Sequence, residues 1–279
     1  VDSALIYRGM DIGTAKPGAG ERARVPHHAI DLVEPSAVFT VQDYLKAAQA
    51  ALASITARGR RALFVGGTAF YYKALTQGLF EGPPLDAALR AALEARYERE
   101  GAAALHAELA RIDAVSAARI HANDKKRVVR ALEVWEQSGK PLTEWQREWG
   151  WGDPSQPKRG RARRVVGLAL ETAELDARIA ARIVAMLDAG WPDEARAIRD
   201  AGGFSSTSSQ ALGYSEALAL ADGSLTRTEA ERRIYLATRQ FARRQRTWLR
   251  KFSETRWVAA PKREDLAERV DEVLGVLWP

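Results

Sequence analysis

Ala62-Leu63-Phe64-Val65-Gly66-Gly67-Thr68-Ala69-Phe70-Tyr71-Tyr72-Lys73-Ala74-Leu75 reads as a short apolar strand, a glycine turn ending in a hydroxyl, and the first turns of a helix. Immediately upstream, from Phe39 to Ala57, the apolar positions Val41, Tyr44, Leu45, Ala48, Ala51 and Leu52 recur at spacings of three and four, which predicts an amphipathic helix. Helix, strand, glycine turn, helix is the rhythm of an α/β domain built on a parallel sheet. At the start of the chain, Val1-Asp2-Ser3-Ala4-Leu5-Ile6-Tyr7 reads as the end of another strand, and a segment is expected to precede Val1.

Downstream the pattern changes. Gly82-Pro83-Pro84 marks the change, and from Asp86 to Trp149 only helical periodicity is present, which predicts a separate helical unit. It should hold one helix from Asp86 to Glu100, another after Gly101, and one from Asn123-Asp124 to Ser138-Gly139. A short last helix would be capped by Thr143, with Gln146 completing a capping box. Gly150 to Gly160 is loop chemistry and forms the way out of this insertion. Arg164 to Leu170 then reads as a strand, Ala173 to Ala189 as a helix stopped by Gly190, and Thr226 to Phe252 as a long helix. The long helix keeps an apolar stripe at Ile234, Ala237, Phe241, Trp248 and Phe252 and is basic elsewhere. A strand at Arg256 to Ala260 and an amphipathic helix from Arg263 to Leu277 close the domain.

The composition is that of an ordinary globular chain: 279 residues, 46% apolar and 28% charged. Lys and Arg (42) exceed Asp and Glu (36), giving a net charge of +6 that suits an anionic partner. There is no cysteine, which excludes disulfide scaffolds, thiolate metal sites and thiol nucleophiles. No apolar run approaches the roughly 18 to 20 residues of a membrane span, and no signal peptide opens the chain, so a cytoplasmic protein without membrane contact is expected.

Several residues could carry chemistry. Asp2 stands where a core strand should end, the place where open α/β sheets collect ligands, so it is a candidate base as well as a candidate turn former. Thr68 could face a bound phosphate or serve as a helix N-cap, or both. Arg178 and Arg182 lie four apart on one helix face and could clamp a pyrophosphate, or be solvated. The same choice holds for Lys125, Lys126, Arg127 and Arg130 at the start of an insertion helix. Arg243-Arg244-Gln245-Arg246-Thr247-Trp248-Leu249-Arg250 interleaves cations with groups that stack and hydrogen-bond, which is the character of a nucleic-acid surface. His27, His28, His106 and His121 have no zinc spacing and complete no Ser-His-Asp arrangement, so metallohydrolase and serine-hydrolase chemistry has no support.

Taken together these segments resemble the bacterial tRNA dimethylallyltransferases, also called tRNA isopentenyltransferases. The run from Val1 to Pro17, with Asp11-Ile12-Gly13-Thr14-Ala15-Lys16-Pro17 at its end, carries the family signature. Further matches follow in order: Pro26-His27-His28 with Ile30-Asp31, Gly66-Gly67-Thr68 with Tyr71, His121 with Asn123-Asp124 and Arg127 to Glu133, Gly213-Tyr214, and Thr238-Arg239-Gln240 through Arg250. The resemblance implies a P-loop NTPase-like α/β core (residues 1–82 and 162–279) with an inserted all-helical domain (83–161) that grips the tRNA anticodon stem-loop. It also implies transfer of a dimethylallyl group from dimethylallyl pyrophosphate, with Mg²⁺, to N6 of the adenine on the 3′ side of the anticodon.

By the same resemblance Asp2 is the general base and Thr68 contacts substrate near the leaving pyrophosphate, which Arg182 and Arg178 neutralise. Ser3, Ala4 and Leu5 line the target nucleotide. The tRNA contacts implied are Arg90; Lys126, Arg127, Val128, Val129 and Arg130; Gln210, Ala211, Leu212, Gly213, Tyr214 and Ser215; and Arg243, Arg244, Gln245, Arg246, Thr247, Trp248, Leu249 and Arg250. The family's GxxxxGK[ST] phosphate loop is not found in this sequence and is expected roughly forty residues upstream, enough for a loop, its helix and a second strand. No metal ligand is assigned, because the expected one lies in that loop. Ser215 stands where many relatives carry a basic residue, which puts that contact in question. A monomer is expected. The competing readings are a catalytically inactive anticodon-arm RNA-binding protein and a P-loop small-molecule kinase, the latter leaving the insertion and the Arg243 to Arg250 segment unexplained.

Overall fold

The computed structural model describes residues 1–79, 82–147, 164–260, 262 and 265–278. The Gly150 to Gly160 loop and Arg263 lie outside them. In chain order the elements are α1 (Ala19–Arg24), α2 (Val41–Ala57), α3 (Ala69–Gln77), α4 (Ala87–Glu100), α5 (Ala102–Ile112), α6 (Ala114–Arg119), α7 (Lys125–Ser138) and α8 (Leu142–Arg147). They continue with β1 (Val165–Ala169), α9 (Thr172–Asp188), α10 (Trp191–Asp200), a 3₁₀ turn (Ser208–Gln210), α11 (Tyr214–Ala221), α12 (Arg227–Leu249), β2 (Thr255–Ala259) and α13 (Leu266–Leu277). The chain divides into two compact units, Val1–Ala74 with Arg161–Pro279, and Leu75–Gly160. Among the described residues no helix is long and apolar enough to cross a membrane.

In the first unit β1 and β2 pair in parallel, in register from Val165 with Thr255 to Ala169 with Ala259. Helix α13 packs on both strands and α9 packs on α12. Helix α2 begins with a capping box: Thr40 accepts from the Asp43 N–H and the Asp43 carboxylate accepts from the Thr40 N–H.

Two expectations for this unit are corrected. Ala62 to Val65 is extended but joins no strand ladder, and Leu63, Phe64 and Val65 remain 56%, 46% and 70% exposed. β-Branched and aromatic residues fit a pleated surface only when a neighbouring strand is there to pair with. Among the described residues the segment's backbone contacts are with Val1, whose N–H reaches the Val65 carbonyl and whose carbonyl accepts from the Thr68 N–H. Val1 to Tyr7 likewise forms a turn, with a single parallel bridge between Tyr7 and Val33.

The second unit is helical over its described residues. Its core gathers Leu93 and Tyr97 of α4, Leu105 and Leu109 of α5, and Val128, Val129, Leu132 and Val134 of α7. Helix α7 is its centre, capped by Asp124 at one end and by Gly139 in the left-handed region at the other. Thr143 does not cap α8, as the sequence suggests; it lies inside that helix and is buried. The reason is Asp113, the N-cap of α6, whose carboxylate accepts from the N–H and hydroxyl of both Ser116 and Thr143.

Burial alone pushes the Asp113 carboxyl up, but the Thr143 and Ser116 hydroxyls and N–H groups outweigh it and hold the group below the usual carboxylate range. The stabilisation is therefore full above about pH 4, the ordinary carboxylate value, and lost as pH falls through the lower folded value. Asp113→Ala removes a cap and strands buried donors, so a loss of about 3 kcal/mol is expected at pH 7 and a smaller loss at pH 3, read by urea denaturation at both values.

Candidate active site

Thr68 opens α3, its carbonyl accepting from the Tyr72 N–H. Its side chain is turned toward the start of the chain: Oγ1 accepts from the Ser3 N–H at 3.2 Å and donates to Ser3 Oγ at 3.3 Å. Next to Ser3, one oxygen of Asp2 (Oδ1) accepts from the N–H groups of Ala4 at 2.7 Å and Leu5 at 3.2 Å. Among the described residues the second oxygen, Oδ2, has no hydrogen-bond partner. The turn-forming reading of Asp2 is thus seen directly in Oδ1, and the turn does not engage Oδ2.

Helix α12 reaches the same place. Gln245 Nε2 donates to the Gly67 carbonyl at 2.9 Å, and a Cβ on Gly67 would lie 2.1 Å from that nitrogen, so a side chain there would displace the Gln245 amide. Asp2, Ser3, Thr68, Gly67 and Gln245 therefore form one bonded group, assembled from residues far apart in sequence. Tyr44 of α2 and Tyr71 of α3 stack beside it, ring centroids 4.2 Å apart. Burial and the Asp2 charge push the Tyr44 phenol up to about 12 and raise Tyr71 as well, with neighbouring phenols and Asp43 adding to the Tyr71 shift. Both phenols stay protonated at neutral pH. Tyr44 entered the sequence reading only as part of an apolar stripe, because no local pattern distinguishes a core tyrosine from one beside a carboxylate.

The remaining candidates divide. On α9, Arg178 is exposed and ion-paired to Glu174 at 2.6 Å, while Arg182 is exposed with no ion pair among the described residues. Along α12, three of the four cations from Arg227 to Arg239 have carboxylate partners: Arg227 with Asp188 and Glu231, Arg233 with Glu229, Arg239 with Asp176. Those of the second half do not. Arg243 and Arg250 are exposed and without ion pairs among the described residues, Arg244 lies over the Phe241 ring at 5.9 Å, and Lys251 over the Trp248 ring at 5.4 Å. Arg246 donates to Thr172 and Thr247 to the Arg243 carbonyl. Leu249 is half-buried. A helix that neutralises most of the charge in its first half and leaves the second half open favours anions at that end.

In the insertion, Lys126 and Arg127 start α7, Arg127 pairing with Asp124 at 2.7 Å. Val128 and Val129 are corrected: both side chains are buried in the helical core and cannot touch RNA. Arg90 and Arg130 are also not free cations, since both meet the buried Glu133. Around residue 213 the placement is mixed. Gln210 and Ser215 are exposed and Ala211 and Leu212 half-buried, but Gly213 and Tyr214 are buried, Tyr214 donating to Glu194 at 2.7 Å. Any contact by Gly213 or Tyr214 would run through neighbouring backbone. Among the described residues no group of three or more His, Asp or Glu side chains converges as a metal cage.

The chain was compared with known proteins. The family model described as "IPP transferase" matches residues 5–252. A protein of Methylibium petroleiphilum named tRNA dimethylallyltransferase is 47% identical over 265 residues, covering 93% of this chain and 80% of that protein. One of the same name from Methylococcus capsulatus is 46% identical over 260 residues, covering 92% and 82%. Among solved structures, the full-length tRNA isopentenylpyrophosphate transferase of Bacillus halodurans is 35% identical with a TM-score of 0.65, covering 99% of this chain and 86% of that one. A eukaryotic dimethylallyltransferase solved acting on tRNA has a TM-score of 0.76 at 22% identity, covering 97% and 69%, and bears on the fold alone. The fold is thus α/β, a P-loop-like core with a helical domain. With a family match running from Leu5 through the last basic turn of α12 to Phe252, and relatives alike across nine tenths of its length, the chain belongs to the IPP transferase family.

Proposed function

We propose that this protein transfers the dimethylallyl group of dimethylallyl pyrophosphate to tRNA, at N6 of the adenine next to the anticodon on its 3′ side, with Asp2 as general base. The observation that carries the base assignment is the divided carboxylate of Asp2, one oxygen held by the Ala4 and Leu5 N–H groups and the other open. An exocyclic adenine amine is a weak nucleophile because its lone pair is delocalised into the ring, and its attack needs a proton acceptor. In the step, N6 forms a bond to C1 of the dimethylallyl group, the C1–O bond breaks to release pyrophosphate, and the N6 proton passes to Asp2. A loop nucleotide leaves its stack at low cost, and Ser3, Ala4 and Leu5 would line it once extruded.

Thr68, bonded to Ser3, stands beside the reacting centre. Arg182, with Arg178, would neutralise charge growing on the pyrophosphate. Mg²⁺ fits such a substrate through its phosphates with few protein ligands, and the described residues offer no cage for it. The exposed cations Lys126, Arg127, Arg243, Arg244 and Arg250 would take backbone phosphates of the anticodon stem-loop, with the protein acting as a cytoplasmic monomer.

The test is transfer of label from dimethylallyl pyrophosphate to an anticodon stem-loop with adenine at the target position. Label on N6 supports the reading; binding of the stem-loop without transfer would favour an RNA-binding protein instead. Replacing Arg243 and Arg244 with Ala should lower the slope of log Kd against log salt by about 1.5, near the value for two released phosphate contacts. An unchanged slope would remove that turn of α12 from the interface. Arg182→Ala should weaken use of dimethylallyl pyrophosphate, raising its KM at least about tenfold with stem-loop affinity unchanged.

A further inference from the structure

The Asp11 to Pro17 signature has no part in the reaction as described, yet its backbone is held by a single side chain. Glu194 of α10 accepts three successive N–H groups, Asp11 at 2.9 Å and Ile12 at 2.6 Å on Oε2 and Gly13 at 3.1 Å on Oε1. Its Oε1 also accepts from the Tyr214 hydroxyl at 2.7 Å. The Trp191 indole completes the joint. It lies edge-on to Tyr214, centroids 5.6 Å apart, and so close to Gly13 that a Cβ there would be 2.1 Å from its Nε1. Burial and the Glu194 charge raise the Tyr214 phenol far above its ordinary value, so it remains a donor.

From this joint the connection runs to the base. Lys16, its side chain only 1% exposed, pairs with Asp11 at 2.7 Å and Asp31 at 2.6 Å, and donates to the Tyr7 carbonyl at 2.6 Å. The Tyr7 N–H donates to the Ala4 carbonyl, and the Ala4 N–H is one of the two that hold Asp2. Every link is a hydrogen bond or an ion pair of the buried Lys16 ammonium, which must keep its partners because an unpaired buried charge is costly.

We propose that Glu194 is a positioning residue for the transfer: it fastens the tRNA-facing turn Gln210 to Ser215 to the loop that carries Asp2, so that RNA seated on the turn fixes the base. This rests on Asp2 being the base. Glu194→Gln keeps the size of the side chain but replaces one acceptor oxygen with a donor facing N–H groups. Its single-turnover rate should fall about tenfold, the scale of one lost charge-assisted hydrogen bond, with the KM for dimethylallyl pyrophosphate unchanged. In an Asp2→Asn background, where there is no base left to place, the same change should cost less than about twofold, because residues acting as a unit are not additive. Tyr214→Phe, which leaves the three N–H bonds intact, should give a smaller loss with the same non-additivity and covers the case in which Glu194→Gln folds poorly.

Equal fold losses in both backgrounds would overturn the positioning role while leaving the base assignment standing. Full activity of Asp2→Asn would overturn the base assignment and this proposal with it.

Discussion

Asp2→Asn should lower the rate of dimethylallyl transfer by about 10² to 10⁴, the range general-base catalysis supplies, while stem-loop affinity changes by less than about twofold. The structure favours Asn over Ala for this experiment. Oδ1 of Asp2 holds the Ala4 and Leu5 N–H groups, so Ala would remove the proton acceptor and loosen the turn together. Asn keeps an oxygen where the turn needs one and removes only the basicity of the other atom. Asp2→Ala should therefore be as slow as Asp2→Asn and less stable by about 1 kcal/mol, the usual worth of a side-chain oxygen satisfying a turn or helix-start N–H. Single-turnover rates with saturating dimethylallyl pyrophosphate separate chemistry from binding. Near-normal turnover in Asp2→Asn would remove the base assignment. A slow Asp2→Ala beside a normal Asp2→Asn would reduce Asp2 to a turn former.

How much of this was legible in the sequence depends on where each residue finds its partner. Helices α2, α7, α9 and α12 were readable because three-and-four periodicity and caps are local: Thr40 and Asp43 lie in one turn, and Gly139 follows the last periodic residue. Helix α10 was not anticipated, since Gly190-Trp191-Pro192 looks like a break, although proline in the first turn marks a helix start as readily as a stop. Ala62 to Val65 has strand composition, but a strand is a relation to a neighbour, and the neighbour is not encoded in the segment.

The site follows the same rule. Asp2 and Thr68 could be singled out separately, but the bond that joins them through Ser3 had no signal, since its two partners lie 65 residues apart. Glu194 and Tyr44 carried no signal, because what distinguishes them is a contact with a loop or charge distant in sequence. Val128 and Val129 show the reverse case: the resemblance carried over a whole run, Lys126 to Arg130, but only helical periodicity tells which of its residues turn inward.

The second large effect is expected in the insertion. Glu133 is fully buried, 0% exposed, in the middle of α7. It accepts from Arg90 through Nη2 at 2.5 Å and Nε at 3.2 Å and from the Asp86 N–H at 3.1 Å. Arg130 Nη1 stands 3.1 Å away in ion-pair contact, though not aligned for a hydrogen bond, while its Nη2 donates to the Pro83 carbonyl. One carboxylate thus joins the start of α4 to α7. Removing one partner of a buried ion pair costs about 3 to 5 kcal/mol. Arg90 and Arg130 keep side-chain exposures of 30% and 27%, so both guanidinium groups can turn to water once released, which places Glu133→Ala near the lower end, about 3 kcal/mol. Glu133→Gln, which keeps the volume and can still accept from Asp86, should lose less.

Because the pair is shielded, the loss should change little between low and high salt, unlike that of an exposed pair. Denaturation of a chain with two compact units need not be two-state, and the insertion should then melt first as a separate transition in the Glu133 variants. If Glu133→Ala left the insertion's stability within about 0.5 kcal/mol of the parent, typical of a surface change, Arg90 and Arg130 would no longer be needed in the fold. They would return to the pool of cations free for RNA. A loss of the expected size with stem-loop affinity preserved would place them on the structural side of that division.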